Sequence, residues 1–168
     1  MAISYKDLGE SRKAIELCNQ ALNIHSKTGD RQGEGICLGT LGVAYKTLGE
    51  IDRATTNFEA ALAIYREIGD LHGECAVLVN IGIVYSDLGE HNESIEKFND
   101  ALVIARGIGD KEKEGHCIGY LGLAYMGINK TQIAINLYSQ ALKIANQVGD
   151  KIHVGEWLLI FEKSKSIN

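Results

Sequence analysis

The chain contains no proline. Loops of mixed folds normally use proline beside glycine, yet here glycine alone is plentiful, at 19 residues. Helices closed by glycine account for that imbalance. Also missing is any run near the roughly 20 apolar residues that cross a bilayer, and the opening Met1-Ala-Ile-Ser-Tyr-Lys-Asp lacks the apolar stretch of a secretory leader. A cytoplasmic protein with no membrane partner is expected. Basic charge is in deficit: 17 Lys and Arg stand against 22 Asp and Glu, for a net charge of −5. No basic stripe can replace the counterions around phosphates, so nucleic acid is excluded as the expected partner. Of the four cysteines, Cys18, Cys37, Cys75 and Cys117, no two are spaced as a CxxC pair. They are expected as buried reduced thiols, with no metal site and no cofactor.

What is present is a repeat. Tyr5, Tyr45, Tyr85 and Tyr125 recur every 40 residues, and so do Ala21, Ala61, Ala101 and Ala141. The pairs Gly29-Asp30, Gly69-Asp70, Gly109-Asp110 and Gly149-Asp150 keep the same register without one insertion. Each pair suits a tight turn between helices. Glycine tolerates the left-handed conformation just past a helix end, and aspartate caps the orphan N–H groups of the next helix. A second break in each period falls at Leu8-Gly9-Glu10, Leu48-Gly49-Glu50 and Leu88-Gly89-Glu90, and Asn129 stands in the matching glycine place of the last copy. Helices are therefore expected near residues 10–28, 31–48, 50–68, 71–88, 90–108, 111–128, 130–148 and 151–164, with residues 1–8 the tail of a further one.

From Gly35, the segment GICLGTLGVAYKTLGEIDRATTNFEAALAIYREI carries Leu38, Leu41, Gly42 and Tyr45 on its first helix and Ala54, Phe58 and Ala61 on its second. Copies follow with Leu78, Ile81, Gly82, Tyr85, Ser94, Phe98 and Ala101, then Ile118, Leu121, Gly122, Tyr125, Ala134, Tyr138 and Ala141. This pattern resembles the tetratricopeptide repeat over nearly the whole chain. Arg66, Arg106 and Asn146 replace that family's usual proline, and the period exceeds its usual length of about 34 residues. Both departures are similar to the 40-residue variety of Pins-type polarity adaptors and bacterial signalling proteins. The resemblance implies an all-α fold, a right-handed α-solenoid of antiparallel helix pairs. It is expected to form one domain over 1–168, with a partial repeat at 1–30, full repeats at 31–70, 71–110 and 111–150, and a terminal helix at 151–164.

The resemblance also implies which face works. Leu38, Leu41, Gly42 and Tyr45 cluster on one side of their helix, and the opposite side lines a concave groove in the family. Carried through the copies, that wall holds Ile36, Val43, Lys46, Val79, Asn80, Ile83, Asp87, His116, Tyr120 and Leu123. Two readings stand for Val43, Ile83 and Leu123: they line a groove for an amphipathic helix or extended peptide, or they pack against adjoining repeats. Asn80 and Tyr120 are the polar candidates. Relatives of the Pins type carry asparagines where this chain has Val43, Ile83 and Leu123, and chaperone-tail clamps need more cations than Lys46 alone.

No HExxH, GxGxxG or GxSxG string occurs, and Glu34, Glu74 and Glu114 recur in the first turn of inner helices, where negative charge is favourable. The five histidines do not share one phase, and only His116 falls on the expected wall. A non-enzymatic scaffold for a protein or peptide partner is expected, as part of a longer chain. Alternatives are a bacterial sensor of a short peptide, and a module that self-associates as a homo-oligomer through apolar ends at Trp157 and Phe161.

Overall fold

The computed structural model describes residues 5–165, apart from the side chains of residues 5–8, 156 and 163–165. Eight helices and no strands are found among the described residues: α1 (Tyr5–Thr28), α2 (Arg31–Thr47), α3 (Ile51–Ile68), α4 (Leu71–Asp87), α5 (His91–Gly107), α6 (Lys111–Gly127), α7 (Thr131–Val148) and α8 (Lys151–Lys165). They gather into two compact units that divide between Val84 and Tyr85. The division falls inside α4 and not at a Gly-Asp turn, where the sequence sets its repeat boundaries.

The turns form as their residues dictate. Gly29, Gly49, Gly69, Gly89, Gly109 and Gly149 all take left-handed backbone, with φ between 71° and 79°, and Asn129 joins them at φ 59°. After each of these residues the next N–H returns to a carbonyl of the finished helix, as in Glu50 to Tyr45 at 2.9 Å and Lys130 to Tyr125 at 2.9 Å. Asparagine thus closes α6 by the same bond that glycine allows elsewhere. Each Gly-Asp turn then opens a helix through its aspartate. Oδ1 of Asp30, Asp70, Asp110 and Asp150 accepts the N–H of Gly33, Gly73, Lys113 and His153 at 2.9, 3.0, 2.9 and 3.2 Å.

One expected break is absent. α1 runs unbroken through Gly9, because Gly-Glu permits a turn without enforcing one. At Gly49 the packing of α2 on α3 holds the reversal; no such helix precedes Gly9 among the described residues. Residues 1–4 of the expected tail lie outside that range.

In the first unit α2 packs on both α1 and α3. Gly42 makes room for the ring of Phe58, which a methyl group at that position would approach to 2.5 Å. Phe58, Ala54 and Ala61 are completely buried, so the α2–α3 contact is close and dry. The second unit repeats this arrangement. α6 packs on α5 and α7, with Gly122 under the ring of Tyr138, and α8 packs on α7. Phe98, Ala101, Ala134, Tyr138 and Ala141 are likewise shut off from solvent. All four cysteines are free thiols; Cys37, Cys75 and Cys117 are buried, and burial followed by the nearby Cys18 thiol pushes the Cys37 thiol up.

Candidate functional site

α2 and α4 belong to the first unit up to Val84, and their solvent-facing sides enclose a groove of about 250 Å³. Ile36, Thr40 and Val43 of α2, Ala76 and Asn80 of α4, and Tyr65 of α3 line it. Ile36 is 54% exposed and Val43 is 42% exposed, so neither is absorbed into packing. Val79 and Ile83 are half-buried, as is Lys46, while Asp87 is exposed. The polar groups are partly turned inward. Thr40 Oγ1 donates to the Ile36 carbonyl at 2.8 Å, and Asn80 Nδ2 donates to the Ala76 carbonyl at 3.0 Å, which engages both donors within their own helices.

On α6 of the second unit, Leu123 is 42% exposed, whereas Tyr120 is half-buried and its ring stacks on Phe98, with centroids 5.3 Å apart. Tyr120 is therefore committed in part to packing. The expectation for α8 needs correction. Trp157 is only 3% exposed and lies over Gly119, where any side chain would collide with the indole. A ring buried this way within its own unit offers no contact surface, and Phe161 is half-buried. The apolar side chains that α8 does expose are Ile152, Leu158 and Leu159.

His116 also has a different setting from the one expected. Its Nε2 lies 2.9 Å from Asp150 Oδ2, and Nδ1 of His153 lies 2.7 Å from the same oxygen. The two imidazoles are in contact, with centroids 4.0 Å apart, and Trp157 borders both. Asp150 is pulled in two directions. Burial raises its pKa, but the hydrogen bonds from the His116 ring and from the His153 N–H and ring outweigh it and hold the carboxyl at about 2. In the sequence these histidines occupy different repeat phases, which hides their proximity. The available signal was spacing: Asp150 shares the phase of the capping aspartates, and His153 is the residue whose N–H that cap receives.

The phased glutamates do more than complement helix ends. Glu74 accepts from Arg66 Nε at 2.7 Å, and Glu114 accepts from Arg106 Nε at 2.9 Å and from Lys111 Nζ at 2.7 Å. The arginines standing in place of proline thus bind the next inner helix. Arg31, bonded through Nε to Glu67 at 3.0 Å, also holds Glu34. Where arginine gives way to Asn146, the glutamate phase holds Val154, so both halves of the pair are lost together.

Helix pairs built on one repeated unit, with an open apolar groove and no linear catalytic motif, define a helical-repeat protein. The tetratricopeptide-repeat family model matches residues 1–67 and 73–147, and the chain belongs to that family. Among solved structures it is similar to a putative kinesin light chain with TPR-like repeats from Podosopora anserina. That match has 18% identity and a TM-score of 0.68, over 96% of this chain and 90% of that one. It is also similar to the N-terminal domain of stress-induced protein-1 from C. elegans, at 14% identity and a TM-score of 0.61, over 78% and 94% of the two chains. BtubC from P. vanneervenii matches at 16% identity and a TM-score of 0.67 over 86% of this chain. This chain spans 57% of that protein's length. These likenesses concern the fold. No curated protein matches the chain. Among the described residues, no helix is long and apolar enough to cross a membrane.

Proposed function

We propose that the chain is a non-catalytic scaffold that binds a peptide or amphipathic helix of a partner protein along the α2–α4 groove. The observation that carries this reading is the exposure of Ile36 and Val43 on the wall of that groove. Water-facing apolar side chains in a concave setting gain free energy when a partner's apolar residues cover them, by about 25 cal/mol per Å² of area removed from water. The partner's anchors are small or medium aliphatic side chains, since the groove is too small for more than a few of them. Val79, Asn80 and Ile83 flank the same face, and Lys46 gives it a cation for an acidic residue of the peptide. On α6, Leu123 and Tyr120 supply a comparable apolar strip. Family membership supports a protein partner, because tetratricopeptide repeats serve widely as interaction modules.

The test is selection of binding peptides from a displayed random library, followed by measurement of the selected peptides on Val43→Asp and Ile36→Asp. Both side chains are exposed, so helicity and Tm should remain near the parent while affinity falls at least tenfold. Peptides whose affinity ignores both substitutions would overturn the groove assignment.

A further inference from the structure

We propose that His116, Asp150 and His153 form a binding site for one divalent transition-metal ion of the zinc class. Their ligand atoms all lie within 4.8 Å of one another. They come from two elements, His116 from α6 and the other two from the start of α8 with its cap, so an ion here would join those helices. The distances already approach what coordination needs. Bonds of about 2.0–2.2 Å to nitrogen and oxygen place tetrahedral ligands roughly 3.3–3.5 Å apart. The Asp150 oxygen lies 2.9 Å from one imidazole nitrogen and 2.7 Å from the other, so small side-chain rotations open the space.

The donor set decides the class of ion. Two imidazoles with one carboxylate suit zinc, nickel or copper, while magnesium and calcium prefer oxygen alone. The other oxygen of Asp150 receives the His153 N–H at 3.2 Å, which fixes the carboxylate's orientation as outer hydrogen bonds do around metal ligands. The side chains are 22%, 14% and 23% exposed in the order His116, Asp150, His153, which leaves an approach from solvent. Three protein ligands leave a fourth position for water or for a side chain of a partner.

The repeat supplies an internal comparison. The corresponding trios in sequence are Ile36, Asp70, Gly73 and Ala76, Asp110, Lys113. The capping aspartate persists in all of them and is satisfied cheaply: Asp70 Oδ2 by Gln32 at 2.9 Å, and Asp110 Oδ2 by Lys113 at 2.7 Å. At Asp30 a single imidazole, His25 Nδ1, meets the outer oxygen at 2.8 Å. Two imidazoles converging on a single oxygen therefore exceed what the turn requires, and they occur together in the last copy alone.

Trp157 provides the readout, as it is the chain's single tryptophan and touches both rings. Metal-stripped, fully reduced full-length protein is titrated with zinc chloride by calorimetry and with nickel chloride by Trp157 fluorescence. The expected results are one zinc ion per chain, a Tm that rises with zinc concentration, and nickel quenching that zinc reverses. Magnesium should have no effect. His153→Gln and His116→Gln should each weaken zinc binding more than about tenfold while far-ultraviolet circular dichroism shows the helices intact. Absence of nickel quenching in the native protein overturns the site without recourse to any variant. So does zinc binding that survives in the doubly substituted protein and disappears on Cys18→Ser, which would assign the ion to thiols. Peptide binding to the α2–α4 groove is unaffected by either outcome.

Discussion

Arg106 and Glu114 lie eight residues apart on opposite sides of the α5–α6 turn, with Nε 2.9 Å from Oε1. Their environments differ: the arginine side chain is 55% exposed and the glutamate only 10%. Lys111 and then Arg106 hold the Glu114 carboxyl below its ordinary range, against the opposing effect of burial.

That asymmetry predicts unequal costs. Arg106→Ala leaves Lys111 on the glutamate and should destabilise by less than about 1 kcal/mol, the usual worth of a largely exposed pair. Glu114→Ala strips a charge partner from two cations and should cost about 1–2 kcal/mol. Urea unfolding of both single variants and the double variant gives the coupling energy directly, and a coupling of zero would mean the contact contributes nothing.

Tyr138 offers the reverse sign. Its side chain is fully buried and its hydroxyl has no hydrogen-bond partner among the described residues, while the same repeat phase holds Phe58 and Phe98. Burial alone pushes the phenol's pKa upward. Tyr138→Phe should therefore raise stability by about 1 kcal/mol, seen as an increase in the urea midpoint at unchanged slope. A loss of stability would show that the hydroxyl is satisfied after all.

The Asp70 cap carries a pH signature. The bond from the Gly73 N–H holds its pKa below the usual value, burial opposes this, and Gln32 adds to the lowering. A carboxyl whose folded pKa is depressed contributes its stability above the unfolded value of about 3.9, and that contribution disappears as pH falls through the folded one. Asp70→Ala should cost about 1 kcal/mol at pH 7, with the gap from the parent closing below about pH 4. Asp70→Asn, still an acceptor, should cost less at neutral pH. Thermal unfolding across pH 2 to 7 checks both curves.

Residues that repeat were legible in the sequence, because each copy poses the same local problem. The left-handed turns, the aspartate caps, the Asn129 exception and the buried Phe58, Phe98 and Tyr138 all follow from spacing. Residues that break the repeat were not. Trp157 reads as exposed until Gly119, some forty positions earlier, is found beneath it, and His116 reads as an isolated wall residue until Asp150 and His153 close on it. Such side chains act through partners far away in sequence, which periodicity cannot name. Gly9 differs for the opposite reason: glycine permits a turn there but α1 continues through it, whereas at Gly49 the packing of α2 on α3 holds the reversal.

The pairing of helices that are neighbours in sequence bears on synthesis as well as on stability. A hairpin such as α2 with α3 can close as soon as both helices have left the ribosome, without waiting for distant chain. With no proline in the sequence, no prolyl isomerisation delays that closure. Inner helices such as α2 and α6, each packed on both of its sequence neighbours, therefore spend little time uncovered during translation.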